Sequence, residues 1–236
     1  MKTGLTALCI VAALMGTACQ SSGPAATQQT ASSDGFRNAF TVEKSNLGPT
    51  GASQFFILKP GTLLKYKDHE GATLAIKVLD QTRTVDGVTT RVIEEHEEEG
   101  GKVKEISRNF FAIDRATNDV YYFGEEVDIY KDGKIASHGG AWQSGVGGAR
   151  FGLALPAKPA VGDKYYQEVA PGIAMDRGEV VSIDERVVTP AGTFEHCVHV
   201  KETTPIEKDT GHKWYAPGIG LVRDDELVLV SHSIPK

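Results

Sequence analysis

From Leu74 onward the chain alternates apolar and polar positions in short runs separated by turn residues. Leu74, Ile76 and Val78 share one face of an extended strand. Val88, Thr90 and Val92 do the same, as do Val127 and Ile129. The turn signals are Asp68-His69-Glu70-Gly71, Asp86-Gly87, Glu99-Gly100-Gly101, Asn118-Asp119 and Asp132-Gly133. Asp-Gly between extended runs marks a type I′ hairpin, which needs positive φ at both central residues. A second β-rich set spans residues 165–169, 179–184, 193–203, 213–215, 221–223 and 226–231. Between the two sets, residues 139–152 hold six glycines around Trp142, Arg150 and Phe151. Residues 153–162, with Pro156 and Pro159, read as an extended connector.

The pattern predicts an all-β, mainly antiparallel chain: a curved meander sheet, half-barrel or sandwich-like, with little helix. One short helix is expected over residues 36–43, started by Asp34. Lys102, Lys104, Arg108 and Asp114 share a parity, with Ile106 and Phe110 between them, which predicts half-buried strands and one wet sheet face.

Composition narrows the class. Of 236 residues, 40% are hydrophobic, enough for a packed core. The 25 basic residues against 31 acidic ones give a net charge of −6, which argues against nucleic acid as a partner.

The N-terminus reads as an address. Lys2 precedes an apolar run over residues 5–15, too short for the roughly 20 residues that span a bilayer. Gly16-Thr17-Ala18 and then Cys19 follow, and Gln20-Ser21-Ser22 open a polar stretch. This arrangement resembles a bacterial lipoprotein precursor. The resemblance implies a diacylglyceryl group on Cys19, cleavage before it, and acylation of the new amine. Gln20 after the cysteine, in place of Asp, matches outer-membrane sorting in enterobacteria. The implied place is the cell envelope, lipid-anchored at the periplasmic face of the outer membrane. Gly16-x-Ala18 also suits ordinary signal peptidase, which would leave a soluble periplasmic protein. Cys9 leaves with the signal and Cys19 is used for lipid, so Cys197 stands alone; without lipidation a Cys19–Cys197 bridge becomes conceivable.

The expected organisation is a signal peptide over 1–18, a lipidated tether over 19–35 and one β-rich domain over 36–236. That domain has two sub-parts, 36–138 and 153–236, joined by the glycine-rich loop 139–152. A tether of this composition reaches roughly 22 Å root-mean-square. Thr189-Pro190-Ala191-Gly192-Thr193-Phe194 and Tyr215-Ala216-Pro217-Gly218-Ile219-Gly220-Leu221-Val222 resemble turn-strand phrases of uncharacterised bacterial envelope lipoproteins. Some of those are thought to share the half-barrel of the LolA/LolB lipoprotein carriers. The phrases are structural and carry no catalytic residue across.

Candidate chemistry is sparse. Glu195, Cys197 and His199 would share a strand face and offer metal donors, but one strand makes only part of a site. Glu94-Glu95-His96-Glu97-Glu98-Glu99 reads as a charged hairpin end that keeps a strand edge from pairing, and lacks the alternating ligands of a calcium loop. Gly145-Val146-Gly147-Gly148-Ala149-Arg150 puts Arg where a dinucleotide fingerprint has its third Gly. Trp142 and Phe151 are candidates for a flap over a ligand cleft, or for core. No cofactor is expected. The leading reading is a non-catalytic envelope protein with a binding or structural role, its partner an envelope protein or an apolar ligand; the runner-up is a carrier of an apolar ligand in the sheet's concavity. The competing class is an envelope-polymer hydrolase. An open apolar cavity would favour the carrier, a filled core an interaction module, and a cleft with converging carboxylates the enzyme.

Overall fold

The computed structural model describes residues 34–51 and 53–236. The expected signal peptide, Cys19 and most of the expected tether lie outside the described residues. Before the glycine-rich segment come β1 (Leu47–Gly48), β2 (Leu63–Lys67), β3 (Thr73–Val85), β4 (Val88–Glu99), β5 (Lys102–Asp114), β6 (Val120–Lys131) and β7 (Lys134–Ser137). The segment itself carries β8 (Trp142–Gln143) and the start of β9 (Arg150–Leu155). Then follow β10 (Lys164–Tyr166), β11 (Glu168–Val169), β12 (Arg177–Thr189), β13 (Gly192–Thr203), β14 (Thr210–Ala216), β15 (Gly220–Asp224) and β16 (Leu227–Ser233).

These strands form one antiparallel sheet in the order β10-β12-β13-β14-β15-β16-β2-β3-β4-β5-β6-β9-β11. The first and last members are neighbouring pieces of the same chain stretch. Residues 164–166 pair with β12, and residues 168–169 pair with β9. The two ends of the sheet therefore meet, and the result is a nearly closed barrel. The expected all-β meander is what the chain adopts, and its curvature carries past a half-barrel.

The predicted turns sit where their chemistry requires. Asp86 and Gly87, between β3 and β4, have φ of 49° and 77°, and Asp132 and Gly133, between β6 and β7, have 52° and 74°. Positive φ at both positions matches the right-handed twist of the flanking strands. Between β2 and β3, Asp68 Oδ1 accepts hydrogen bonds from the backbone N–H of Glu70, Gly71 and Ala72.

Two expectations need correction. Residues 36–43 do not form a helix; the helix among the described residues is a single 3₁₀ turn, Lys44–Asn46. Arg37 instead pairs with the closing stretch, its N–H donating to Lys164 O at 3.0 Å and its carbonyl accepting from Tyr166 N at 2.9 Å. Backbone pairing to an existing strand outweighs a helix too short to sustain itself. Nor does the sheet keep one wet face throughout. On β5, Phe110 and Ala112 join the largest apolar cluster, while Phe111 and Ile113 join another. Both faces are packed there, and only the first half of β5 alternates.

Closure is tightest at Gly152. A Cβ at that position would collide with Tyr166 O and lie 2.5 Å from the carbonyl carbon of Gln167. Backbone atoms cannot swing aside as side chains do. Gly152→Ala should lower stability by about 1–3 kcal/mol or more, as overpacking does. Gly48→Ala, where a Cβ meets nothing within 4 Å, should be close to neutral. Chemical denaturation of the two variants checks the contrast.

Candidate functional site

The barrel encloses a cavity of about 530 Å³, within the range of small-molecule sites. Its wall follows from strand alternation. On β4, Ile93, Glu95 and Glu97 face inward in steps of two; on β5, Phe111, Asn109, Ser107 and Glu105 do so in the opposite direction. The register pairs Ile93 with Asn109, Glu95 with Ser107, and Glu97 with Glu105. Both strands thus run from apolar to acidic toward the turn that joins them. Val78, Ile76 and Leu74 line the cavity from β3, with Phe55 and Phe56 from the preceding segment.

The strand registers place the β2–β3, β4–β5, β13–β14 and β15–β16 turns at one end of the sheet. That end carries Glu202 and Asp224 on the wall, and Glu207 and Asp209 in the loop after β13. Ile173 and Ile206 also line the cavity here, yet are 46% and 45% exposed, as residues at a mouth are.

Among the described residues, eleven carboxyl side chains and one ammonium line the cavity. The ammonium is Lys213, which contacts Glu202 at 2.5 Å and Asp224 at 3.7 Å. Burial opposes its charge, but Asp224 and Glu202 outweigh that and hold its pKa well above the ordinary value. Glu95 is surrounded by protein and keeps accessible surface only because it faces the cavity. Burial, then repulsion from Glu97, raises its pKa from 4.5 to about 7. Burial and Glu105 move Glu97 to about 7 as well. Glu125 goes to about 8, through burial, Glu95 and Glu105. Asp224 goes to about 6, chiefly by burial, despite Lys213. Two polar atoms of the wall have no partner among the described residues: Thr62 Oγ1 and Trp142 Nε1, on side chains 2% and 5% exposed.

Trp142 therefore belongs to the cavity wall. Its ring meets Tyr122 edge-on at 5.1 Å, and β8 pairs with β6. Phe151 does not line the cavity; it stacks on Phe123 at 4.7 Å and packs against the largest cluster. The glycine-rich segment holding both is tied down. Ser144 Oγ donates to Asp86 Oδ2 at 2.9 Å and accepts from Phe151 N at 3.1 Å, and Ser144 N donates to Phe123 O at 2.9 Å.

The Glu195, Cys197 and His199 alignment does not survive folding. His196 adopts φ 57°. The ladder slips beside it, so Glu195 and His196 both face solvent, bonded to Arg186 and Asp184. Cys197 is fully buried in the core, and burial pushes its thiol up to about 11. Both ring nitrogens of His199 are engaged, by Glu185 at 2.9 Å and His212 at 2.8 Å. Trp214 stacks on His199 at 4.2 Å and donates to Glu185 at 2.6 Å. Among the described residues no group of three or more His, Cys, Asp or Glu is placed to hold a metal ion.

The acidic run 94–99 also needs correction. It is not at a sheet edge: β4 pairs on both sides, with β3 and β5. Its alternate members, Glu95 and Glu97, enter the barrel.

No protein-family model matches the chain, and no curated protein matches it. Among solved structures, a candidate lipoprotein from Parabacteroides distasonis is similar at 16% identity and a TM-score of 0.40, over 78% of this chain and 100% of that one. Among the described residues, no helix is long and apolar enough to cross a membrane.

The raised carboxyl groups set a pH dependence. Each keeps its proton in the folded protein at a pH where the unfolded chain has lost it. Folding then binds protons, so the stabilisation is complete below about pH 4 and is lost as pH rises through the folded values of about 6 to 8. Asp86 and Glu185, whose pKa values are lowered, act in the opposite sense but below that window. The melting temperature should be higher at pH 5.5 than at pH 8.5, and Glu125→Gln should narrow the difference. A separate measurement concerns Trp142. Trp142→Ala should cost about 3–5 kcal/mol in denaturant titration, as for a buried large aromatic.

Proposed function

We propose that the chain is a ligand-binding barrel of the bacterial cell envelope, tethered through lipid on Cys19, and non-catalytic. The supporting observation is the cavity: about 530 Å³, open at one end, with a wall that is apolar at depth and acidic toward the mouth, and with unpartnered polar atoms of Thr62 and Trp142. A sheet meant only to pack would fill this volume, since interiors are close-packed. Anchoring rests on the lipobox-like Cys19 and the polar stretch behind it. The acyl chains would hold the protein stably at the membrane, and the tether would let the barrel stand off it.

The converging carboxyl groups favour a second reading, an envelope-polymer hydrolase. Hydrolysis by paired carboxyls needs one group held protonated and its partner held ionised. Burial raises Glu95, Glu97, Glu125 and Asp224 in the same direction, and none of these four is held ionised below the ordinary carboxylate range. Binding is the better account.

An environment-sensitive apolar fluorophore should bind the folded protein at one per chain. Ala154→Phe, which fills the cavity from β9, should weaken that binding while the far-ultraviolet spectrum stays unchanged. Failure of any apolar probe to bind would overturn the ligand reading. Mass spectrometry of the membrane-extracted protein should find a diacylglyceryl adduct on Cys19, and an unmodified soluble chain would overturn the anchor. Cleavage of cell-wall polymer that disappears in Glu125→Gln would move the cavity to the hydrolase class.

A further inference from the structure

The cavity is charged in a way its own residues do not balance. Glu95, Glu97 and Glu105 share no ion pair with a cation among the described residues, and Lys213 is already taken by Glu202 and Asp224. Gln167 adds a further bond to Glu202, at 2.8 Å. Carboxylates enclosed by protein are costly unless paired. These must keep their protons or meet a positive charge from outside.

The charge is also directional. Going inward along β4 from the open end, Glu97 gives way to Glu95 and then Ile93. On β5 the sequence is Glu105, Ser107, Asn109, Phe111. Glu207 and Asp209 extend the acidic collar at the mouth, while Val78, Phe56 and Ala154 line the apolar part.

A separate observation points to an occupant. Thr62 Oγ1 and Trp142 Nε1 are orphaned on side chains more than nine-tenths buried, both in the cavity wall. Orphaned buried polar atoms are rare and call for a partner. In the register both lie level with Ile93, in the part of the wall that would take an occupant's apolar body. The Trp142 N–H requires an oxygen, which a hydroxyl or a water accompanying an amine supplies.

Resting on the ligand-binding reading, we infer that the occupant is a cationic amphiphile, a protonated amine on an apolar body, with its tail against Ile93 and Phe111 and its ammonium at the Glu95–Glu97–Glu105 collar. Anionic lipids and fatty acids are excluded by the same collar. A neutral lipid would leave the collar unpaired.

The test uses the folded protein with three probes of equal tail length, dodecylamine, dodecanol and dodecanoate, each below its micellar concentration, in competition with the apolar fluorophore at pH 7.5. Dodecylamine should bind at least tenfold more tightly than dodecanol, and dodecanoate most weakly. In the Glu95→Gln/Glu97→Gln double variant the amine-to-alcohol ratio should fall toward one. Should that variant not fold, the same ratio measured on the unaltered protein should fall between pH 8 and pH 5. Over that range the amine meets Glu95 and Glu97 from β4 and Glu125 from β6 as they gain protons, with Glu105 from β5 beside them. The remaining ionisable groups lining the cavity are Tyr122 from β6, Glu168 and Asp176 beyond β9, Glu202, Lys213, Tyr215 and Asp224 from β13 to β15, Glu207 and Asp209 in the loop after β13, and Asp225 in the turn after β15. Equal affinity for amine and alcohol would overturn the cationic inference and leave the ligand site standing. Spermidine binding as tightly as dodecylamine would overturn the amphiphile, because the apolar wall would then have no role. If none of the probes binds, the ligand-binding reading itself fails.

Discussion

Closure of the sheet through residues 164–169 is the contact on which the cavity depends. One short stretch pairs with β12 by its first residues and with β9 by its last. Pairing both ends satisfies backbone groups that an open sheet would expose along two edges. It also turns one face of every strand into an interior. Gly152 makes this approach possible, because any side chain there would meet the Tyr166–Gln167 backbone. Arg37 then clasps the same stretch from the N-terminal side.

Once the interior exists, alternation decides what fills it. The part lined by Val78, Ile93, Phe111 and Ala154 is apolar, and there the sheet is packed on both faces. Toward the mouth the inward positions are Glu, Asp, Ser and Asn, which do not pack as a dry core. Burial first, and then their repulsion of one another in a confined space, raises the pKa values of Glu95, Glu97 and Glu125 toward neutrality. Lys213 offsets part of this repulsion through Glu202 and Asp224. The balance leaves a volume that is stable when protonated and receptive to cations when it is not.

The outer surface shows a different use of polar groups. Glu185, His199, His212 and Trp214 form a bonded and stacked chain across β12, β13 and β14, with the Arg223 guanidinium 4.8 Å from the Trp214 ring centre. It ties three strands together on the face away from the cavity. The paired aromatics Tyr121-Tyr122 and Trp214-Tyr215 divide in the same way, one ring inward to the cavity and the other to the opposite face.

Fold class, the hairpin turns and most strand positions were legible in the chain, because Asp-Gly φ requirements and two-residue alternation act over a few residues. The lipobox-like Cys19 is likewise a local signal. The candidate site was only half legible. Trp142 was singled out and does line the cavity, whereas Glu95 and Glu97 were read as an edge guard. Their parity with Ile93 was in the sequence, but alternation says only that two faces exist. Which face is inside depends on where the sheet closes, and that is settled by pairing between residues far apart in sequence. Glu105, Glu125, Glu202, Lys213 and Asp224 carry no motif, and the barrel brings them together from five strands. The slip at His196 shows the same limit: one residue in positive φ moves Cys197 into the core and separates it from the donors beside it. Local sequence determined the strands and turns of this protein; long-range pairing decided its interior, because a side chain's environment is fixed by the strands that come to face it.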